Sequence, residues 1–212
     1  MATTGHSVAP MTFRDVLQVT VMRRIWYAQM VSLLGDFLAL FAVISVVSFR
    51  LHGSPAQVTG VQIAYMLPLA LLGPLSGVFV DRWPLKPTLV SSDLIRAGLV
   101  LLLFVSSTLW HVYLILAALS CVSSFFAPAQ SVTIRSHVPA EGLLSANALM
   151  QLAMMGVRIV GPAAAGALVA AFGAQICYGL DVLSFLGSAA LIGSVAIVRP
   201  PAPARAPSAN SR

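Results

Sequence analysis

Five ionisable residues lie inside stretches of sequence that are otherwise apolar. Asp36, Arg158 and Asp181 each occur in a different stretch, and Asp93 and Arg96 stand three residues apart in another. An ionisable side chain in hydrocarbon costs about 2.5 to 3.5 kcal/mol on insertion scales, so each needs a partner, water or a function. A carboxylate beside an arginine in a wet cavity can take up and release a proton. A buried ion pair that only joins helices is the alternative.

The positions of these residues along their stretches predict which of them pair. At 1.5 Å per residue, Arg158 lies roughly 22 Å along its helix and Asp36 about 15 Å along its own. We therefore predict that Asp36 is the counter-charge of Arg158, with Asp181 as the competing partner. Asp93 and Arg96 share one helix face, where they can pair, and their side chains lie within reach of the membrane surface. This spacing favours a structural role for that pair.

The apolar stretches number six, and each is long enough to cross a hydrocarbon core about 30 Å thick. With 58% hydrophobic and 8% charged residues, the 212-residue chain lacks the polar residues for a wetted globular surface. Lipid cannot satisfy open backbone groups, so the sequence predicts an all-α membrane bundle of six helices. The predicted spans are residues 26–49, 58–80, 88–109, 112–134, 143–172 and 176–198.

Basic residues fall on alternate connections between these spans. Nine of the 12 Lys and Arg residues lie in the N-terminal segment, the second and fourth connections or the C-terminal tail, whereas the opposite connections carry Arg50 alone. By the positive-inside rule, both termini are expected in the cytoplasm. We thus expect a cytoplasmic segment over residues 1–25, a membrane domain over 26–198 and a Pro- and Ala-rich disordered tail over 199–212.

Several other functions are disfavoured by the sequence. The basic residues are scattered and form no stripe with aromatic side chains, so no nucleic-acid partner is predicted. The four histidines have no metal-ligand spacing, and the usual motifs of hydrolases and nucleotide-binding proteins do not occur. We therefore predict no metal, no cofactor and no enzymatic activity.

Small and polar residues inside the spans indicate helix contacts and candidate ligand contacts. The pairs Gly73 with Gly77 and Gly166 with Ala170 have the spacing that lets helix backbones approach closely. Ser54, Pro55 and Gln57 have the pattern of a capping box and predict the start of the second helix. Polar residues in or near the spans are candidates for substrate contact, with interhelical hydrogen bonding as the alternative: Gln29, Gln62, Tyr65 and Gln151.

Two segments carry a resemblance to a known family. Residues 73–87, GPLSGVFVDRWPLKP, resemble the signature loop of the major facilitator superfamily, G-x-L-x-D-R-x-G-R-K. The residues that match the signature are Gly77, Asp81, Arg82 and Lys86, and those that depart from it are Phe79, Pro84 and Leu85. Residues 156–166, GVRIVGPAAAG, are similar to the glycine and proline motif of antiporters in this superfamily. Residues 33–55 and 145–162 are similar to the branch that contains the enterobactin exporter and macrolide efflux proteins.

This resemblance implies the N-terminal half of a twelve-span secondary transporter. It implies a half bundle built as a 3+3 inverted repeat in the bacterial inner membrane, and proton-coupled export of a hydrophobic or amphipathic small molecule by alternating access. Asp81 and Arg82 would latch the inward side, and Gly161, Pro162 and Gly166 would allow helix bending. A second six-helix half, as a separate chain or a second copy, would cover the polar wall. A truncated or degenerate carrier that acts only as an assembly partner is the alternative.

Overall fold

The computed structural model describes residues 10–198, which form helices joined by short connections and contain no β-strand. A short helix, α1, precedes six long helices, α2 to α7, that occupy the six predicted spans. The bounds are α1 Phe13–Gln18, α2 Thr20–Ser45, which continues as a π-helical turn Val46–Arg50, α3 Pro55–Val80, α4 Leu85–Leu103, α5 Leu109–His137, α6 Leu143–Phe172, which follows a 3-10 turn Ala140–Gly142, and α7 Ala174–Gly193.

Five of the helical segments have the length and apolar composition needed to cross a membrane, namely Thr20–Arg50, Pro55–Val80, Leu109–His137, Ala140–Phe172 and Ala174–Gly193. The remaining long helix, α4, has 19 residues, among them Lys86, Asp93 and Arg96. Three charges within 19 residues leave α4 without a long apolar stretch of the kind that the other five contain. The crossing of the membrane by α4 therefore stays a prediction, which rests on the position of this helix between two apolar neighbours.

The helix boundaries differ from the predicted spans at several ends. The span predicted to reach residue 109 is wrong there, because α4 ends at Leu103 and the Thr108 hydroxyl accepts a hydrogen bond from the backbone N–H of His111, 3.5 Å away, at the start of α5. The sixth span is also too long, since α7 ends at Gly193 rather than at 198. Ser and Thr compete for backbone hydrogen bonds and favour such ends.

The predicted capping box at the start of α3 is confirmed. The backbone N–H of Ser54 donates to Oε1 of Gln57 at 2.8 Å, and the backbone N–H of Gln57 donates to Oγ of Ser54 at 3.4 Å. Pro55 occupies the first turn of the helix, where its missing N–H costs no hydrogen bond.

The helix packing repeats between the first three long helices and the last three. Helix α2 packs against α7 and α6, and the corresponding helix of the second set, α5, packs against α4 and α3. Helices α4 and α7 pack against each other. If α2, α3 and α4 exchange labels with α5, α6 and α7 in that order, the same pairs of helices are still in contact. Because each set has three helices, the second set starts at the opposite end of the bundle, which is the arrangement of an inverted repeat.

Helices α3 and α6 lie at the periphery and expose apolar side chains, including Leu71 and Leu75 of α3 and Leu152 and Ile159 of α6. The predicted close helix contacts at Gly73, Gly77 and Gly166 are not found, because a Cβ added at any of them would meet no atom within 4 Å. Other glycines make the close approaches instead. An added Cβ at Gly161 of α6 would lie 2.9 Å from Cβ of Phe37 in α2.

One end of the bundle, which we call the basic end, gathers both described termini and two connections. The backbone N–H of Met11 donates to the Glu141 carbonyl at 3.3 Å, and that of Val198 donates to Nε2 of His137 at 3.4 Å. The basic side chains at this end are Arg14, Arg23, Arg24, Arg82, Lys86 and Arg135. The opposite end is called the Arg50 end. The predicted tail over residues 199–212 lies outside the described residues.

Helix α1 is fixed at the basic end by its own cap and by a contact with α6. Thr12 and Asp15 form a reciprocal capping box, and the hydrogen bonds from Thr12 lower the pKa of the Asp15 carboxyl. The Ser145 hydroxyl of α6 donates to the carbonyl of Met11 at 2.6 Å. The predicted cytoplasmic segment, residues 1–25, thus includes α1 and the first turn of α2 within its described part.

Candidate functional site: a buried cluster around Arg96

Ionisable and hydroxyl side chains from three helices meet in the interior, in a group that we call the Arg96 cluster. Arg96 Nη2 donates to Asp93 Oδ1 one helical turn earlier in α4, and Arg96 Nη1 lies 3.9 Å from Asp36 Oδ2 of α2. The Ser188 hydroxyl of α7 donates to the second oxygen of Asp93 at 2.6 Å. The members of the Arg96 cluster are Asp36, Asp93, Arg96, Asp181, Ser184 and Ser188.

The spacing of these residues explains why they converge. Asp93 and Arg96 are i and i+3 on α4, while Asp181, Ser184 and Ser188 lie three and four residues apart on α7, so each set occupies one helix face. Gly35 lets α2 approach α7 at this level. An added Cβ at Gly35 would lie 2.9 Å from Cβ of Ser184 and would overlap its hydroxyl. The glycine before Asp36 therefore brings this carboxylate into the cluster.

Two aromatic rings hold the guanidinium of Arg96 between them. Its Cζ lies 4.5 Å from the ring centroid of Phe126 in α5 and 4.4 Å from that of Phe185 in α7. A desolvated cation over an aromatic face gains up to about 2 kcal/mol, so the rings offset part of the cost of burial. The side chain of Arg96 is 4% exposed, and its Nε has no hydrogen-bond partner among the described residues.

The charges of the Arg96 cluster do not balance. The cluster contains three carboxylates and one guanidinium, which forms ion pairs with Asp93 and Asp36 and none with Asp181. An uncompensated charge is expensive to bury, so the excess carboxylates are costly to keep charged in this interior. The side chain of Asp36 is 22% exposed and that of Asp93 is fully buried, so Asp36 is the more accessible of the two.

The carboxylates of the Arg96 cluster are not arranged as a metal site. Among the described residues, no group of three or more His, Cys, Asp or Glu side chains is arranged to hold a metal ion. Asp181 is 1% exposed and accepts a hydrogen bond from the Ser184 hydroxyl at 3.2 Å. Tyr65 of α3 packs against the core that includes Leu38 and Ala39 of α2, two and three residues after Asp36.

The structure differs from the predicted ion pair between Asp36 and Arg158. Arg158 lies on the exposed face of α6 and forms no ion pair within residues 10–198, whereas Arg96 lies beside Asp36. The predicted pairing of Asp93 with Arg96 is confirmed, but both side chains are buried in the bundle and do not extend to the membrane surface. Depth along a helix was predictable from sequence, but the rotation of one helix against another was not.

The loop that carried the family resemblance lies exposed at the basic end. Asp81 follows the last turn of α3, its backbone N–H donating to the Gly77 carbonyl at 3.0 Å, and Arg82 follows in the turn before α4. Trp83 anchors this turn by stacking on Phe125 of α5, with ring centroids 5.5 Å apart. Sequence reasoning missed Trp83, although a tryptophan beside a basic loop is a common interfacial anchor. Lys86 is half-buried in the first turn of α4.

The polar residues proposed for substrate contact have different surroundings. Nε2 of Gln130 in α5 donates to Oε1 of Gln29 in α2 at 2.6 Å, so Gln29 forms an interhelical hydrogen bond, the alternative role considered for it. Gln62 of α3 and Gln151 of α6 are exposed, and Tyr65 is half-buried. Gln62 and Gln151 therefore face space that is open in this chain, whereas Tyr65 packs against the core.

The apolar helices, the inverted repeat and the buried charged cluster are those of an integral, multi-pass membrane protein. The family described as MFS_3, transmembrane secretion effector, matches residues 11–209. The chain therefore belongs to this family of the major facilitator superfamily, as the motifs predicted.

Curated relatives agree with the family assignment. The chain is 32% identical over 165 residues to the uncharacterized MFS-type transporter YfiS of Bacillus subtilis, an alignment that covers 78% of this chain and 40% of YfiS. It is 31% identical over 182 residues to macrolide efflux protein A of Streptococcus pyogenes, covering 84% of this chain and 44% of that protein. The chain thus spans less than half the length of these relatives. No solved structure gave a significant match.

Proposed function

We propose that this chain forms the N-terminal half of a secondary transporter that exports a hydrophobic or amphipathic small molecule in exchange for protons. The observation that carries the proposal is the charge imbalance of the Arg96 cluster, in which three carboxylates surround one buried guanidinium. A cluster that served only to join helices would need no more than a balanced ion pair. An excess of carboxylates next to a partly exposed one is what reversible proton binding requires.

In this proposal Asp36 is the residue that exchanges its proton with the aqueous side. Arg96 lies 3.9 Å away, too far for a hydrogen bond yet close enough for strong attraction, so a small shift of α4 against α2 changes the free energy of the charged Asp36. Asp181, in the same cluster, provides a second carboxylate that Asp36 repels when both are charged. Arg158, on the exposed face of α6, serves the substrate or the opposite half rather than Asp36.

Gating belongs in the same proposal to Asp81 and Arg82 at the basic end. Their turn is exposed in this chain and is fixed by Trp83, so it presents a preformed polar surface to a second six-helix half. Contact with that half on the inward side would close the bundle. We infer that the basic end faces the cytoplasm of a bacterial inner membrane, because basic connections are retained there.

The identity of the relatives suggests the compounds to test first. One relative is a macrolide efflux protein, and macrolides are large amphipathic molecules. The experiment compares macrolide accumulation in cells that express this chain, alone or together with a C-terminal six-helix half of a relative. We expect cells to accumulate less macrolide when the expressed chains transport it. A protonophore should abolish this difference in accumulation.

The matched variants are Asp36→Asn and Glu141→Gln, each of which neutralises one carboxylate. Glu141 is exposed at the basic end, outside the cluster, so its variant should keep proton-dependent efflux. Asp36→Asn should lose it while the protein is still made. Efflux that survives in Asp36→Asn with unchanged pH dependence would overturn the coupling role. If the chains insert correctly and no combination shows efflux, the alternative of a carrier that acts only as an assembly partner is favoured.

A further inference from the structure

Two neighbouring cavities lie at the Arg50 end, outside the Arg96 cluster. The first has a volume of about 310 Å³, and polar side chains in its wall include Arg50, Ser106 and Gln175. The second has a volume of about 470 Å³ and is walled by apolar and small residues of α2 and α6, such as Ile44, Pro162 and Gly166. Ser45, Phe49 and Val169 belong to both walls, so the cavities adjoin. Their sizes are typical of ligand sites.

Small residues of α6 create the apolar cavity. Gly166 and Ala170 have the spacing of a close helix contact, yet an added Cβ at Gly166 would meet no atom within 4 Å. Phe41 and Phe49 of the α2 segment form the opposite wall. The space between the two helices is therefore narrow, apolar and open on one side, which suits a hydrocarbon chain.

Arg50 supplies the polar cavity with an uncompensated positive charge. The α2 helix ends in a π-helical turn over Val46–Arg50, and such turns are often found at functional sites. The side chain of Arg50 forms no ion pair within the described residues, and Arg50 and Tyr178 both line the polar cavity. Arg50 is also the single Lys or Arg that the described bundle carries at this end.

We propose that these adjoining cavities bind one anionic phospholipid, with its phosphate at Arg50 and one acyl chain along α6 in the apolar cavity. The arrangement matches such a lipid in two independent respects, since charge and hydrogen-bonding groups lie at the helix ends and apolar walls lie deeper. A zwitterionic lipid would place its cationic group near Arg50, so it would gain less binding free energy. The inference does not depend on transport, because it concerns a site at the other end of the bundle from the gating loop.

The test is native mass spectrometry of the purified full chain in detergent with equimolar phosphatidylglycerol and phosphatidylcholine. One basic side chain near a membrane surface contributes enough attraction for roughly a fivefold preference. We expect one phosphatidylglycerol to be retained with about this preference. Arg50→Gln should remove the preference, and Arg50→Lys should keep most of it.

A second variant tests the acyl-chain half of the site. An added Cβ at Gly166 meets no atom within 4 Å, so Gly166→Leu should let the protein fold and should fill part of the apolar cavity, and both lipids should bind at least several-fold more weakly. Arg23→Gln, which removes an exposed charge at the basic end, is the matched control and should leave the single retained lipid in place.

Three outcomes would overturn the proposal. The first is equal retention of the two lipids by the unmodified chain. The second is equal loss in Arg23→Gln and Arg50→Gln, which would indicate nonspecific surface attraction. The third is displacement of the lipid by millimolar inorganic phosphate together with no effect of Gly166→Leu, because the site would then bind a free anion and not a lipid.

Discussion

Arg96 of α4 and Asp36 of α2 face each other across 3.9 Å, at the level where α2 packs on α7. This relationship makes α4 the helix whose displacement most directly changes the charge environment of Asp36. The guanidinium itself is restrained, because it bonds Asp93 on its own helix and lies between the rings of Phe126 and Phe185. A movement of Asp36 relative to this fixed cation would raise or lower the affinity of the Asp36 carboxylate for a proton.

The first prediction concerns which arginine interacts with Asp36. In a double-mutant cycle, Asp36→Asn combined with Arg96→Gln should show a coupling energy of about 0.5 to 3 kcal/mol in the free energy of unfolding, because the two side chains are neighbours. Asp36→Asn combined with Arg158→Gln should be additive within about 0.5 kcal/mol. Unfolding is followed by thermal or denaturant titration in detergent. Coupling to Arg158 with none to Arg96 would contradict the structure.

The second prediction separates the roles of Asp93 and Asp36. Asp93 is fully buried and pairs with Arg96, so Asp93→Asn should lower the stability by about 3 to 5 kcal/mol, the usual cost of breaking a buried ion pair. Asp36→Asn should leave the stability unchanged or increase it, because it removes one of the excess negative charges. The melting temperatures of the two variants in one detergent provide the comparison. A larger loss of stability in Asp36→Asn than in Asp93→Asn would mean that the cluster is a structural ion-pair network.

The number and order of the helices were predictable because apolar length is a strong local signal. The spans over residues 58–80 and 143–172 coincide with α3 and α6 to within a few residues, since Pro55 and Gly173 mark their limits. The end of α4 was harder to place. The apolar residues Phe104 and Val105 continue the pattern after the helix has stopped, and only the Ser and Thr residues behind them indicate the turn.

The site was predicted in its parts but not in its assembly. The sequence showed that Asp36, Asp93, Arg96 and Asp181 were out of place in apolar helices, and the pairing of Asp93 with Arg96 followed from their spacing. The partner of Asp36 did not follow, because it depends on how α2 and α4 rotate about their axes. The tight contact at Gly35 gives one physical reason for this rotation, and a lone glycine in a span does not reveal its neighbour.

The third prediction tests the contact between α2 and α7 at Gly35. Gly35→Ala should destabilise the chain by about 1 to 3 kcal/mol, since the added methyl group would overlap Ser184 in a packed interior. Ser184→Ala removes the hydroxyl that is overlapped most and should restore part of the loss. Gly187→Ala is the control, because an added Cβ there meets no atom within 4 Å. If Gly35→Ala and Gly187→Ala had equal melting temperatures, the packing described for α2 and α7 would be incorrect.

The fourth prediction concerns the path of α4, whose Lys86, Asp93 and Arg96 weaken the hydropathy evidence that it crosses the membrane. Single cysteines are introduced into a Cys121→Ser, Cys177→Ala background at Arg82 and Glu141 of the basic end and at His52 and Trp110 of the Arg50 end. A membrane-impermeant thiol reagent should label the Arg50-end cysteines in intact cells and the basic-end cysteines only after permeabilisation, because basic connections stay in the cytoplasm. Labelling of the cysteines at Arg82 and Trp110 from opposite sides establishes that α4 crosses, since these positions flank it. Labelling of both from one side would place α4 on the membrane surface, and the inverted repeat would then be lost together with the proposed transport mechanism.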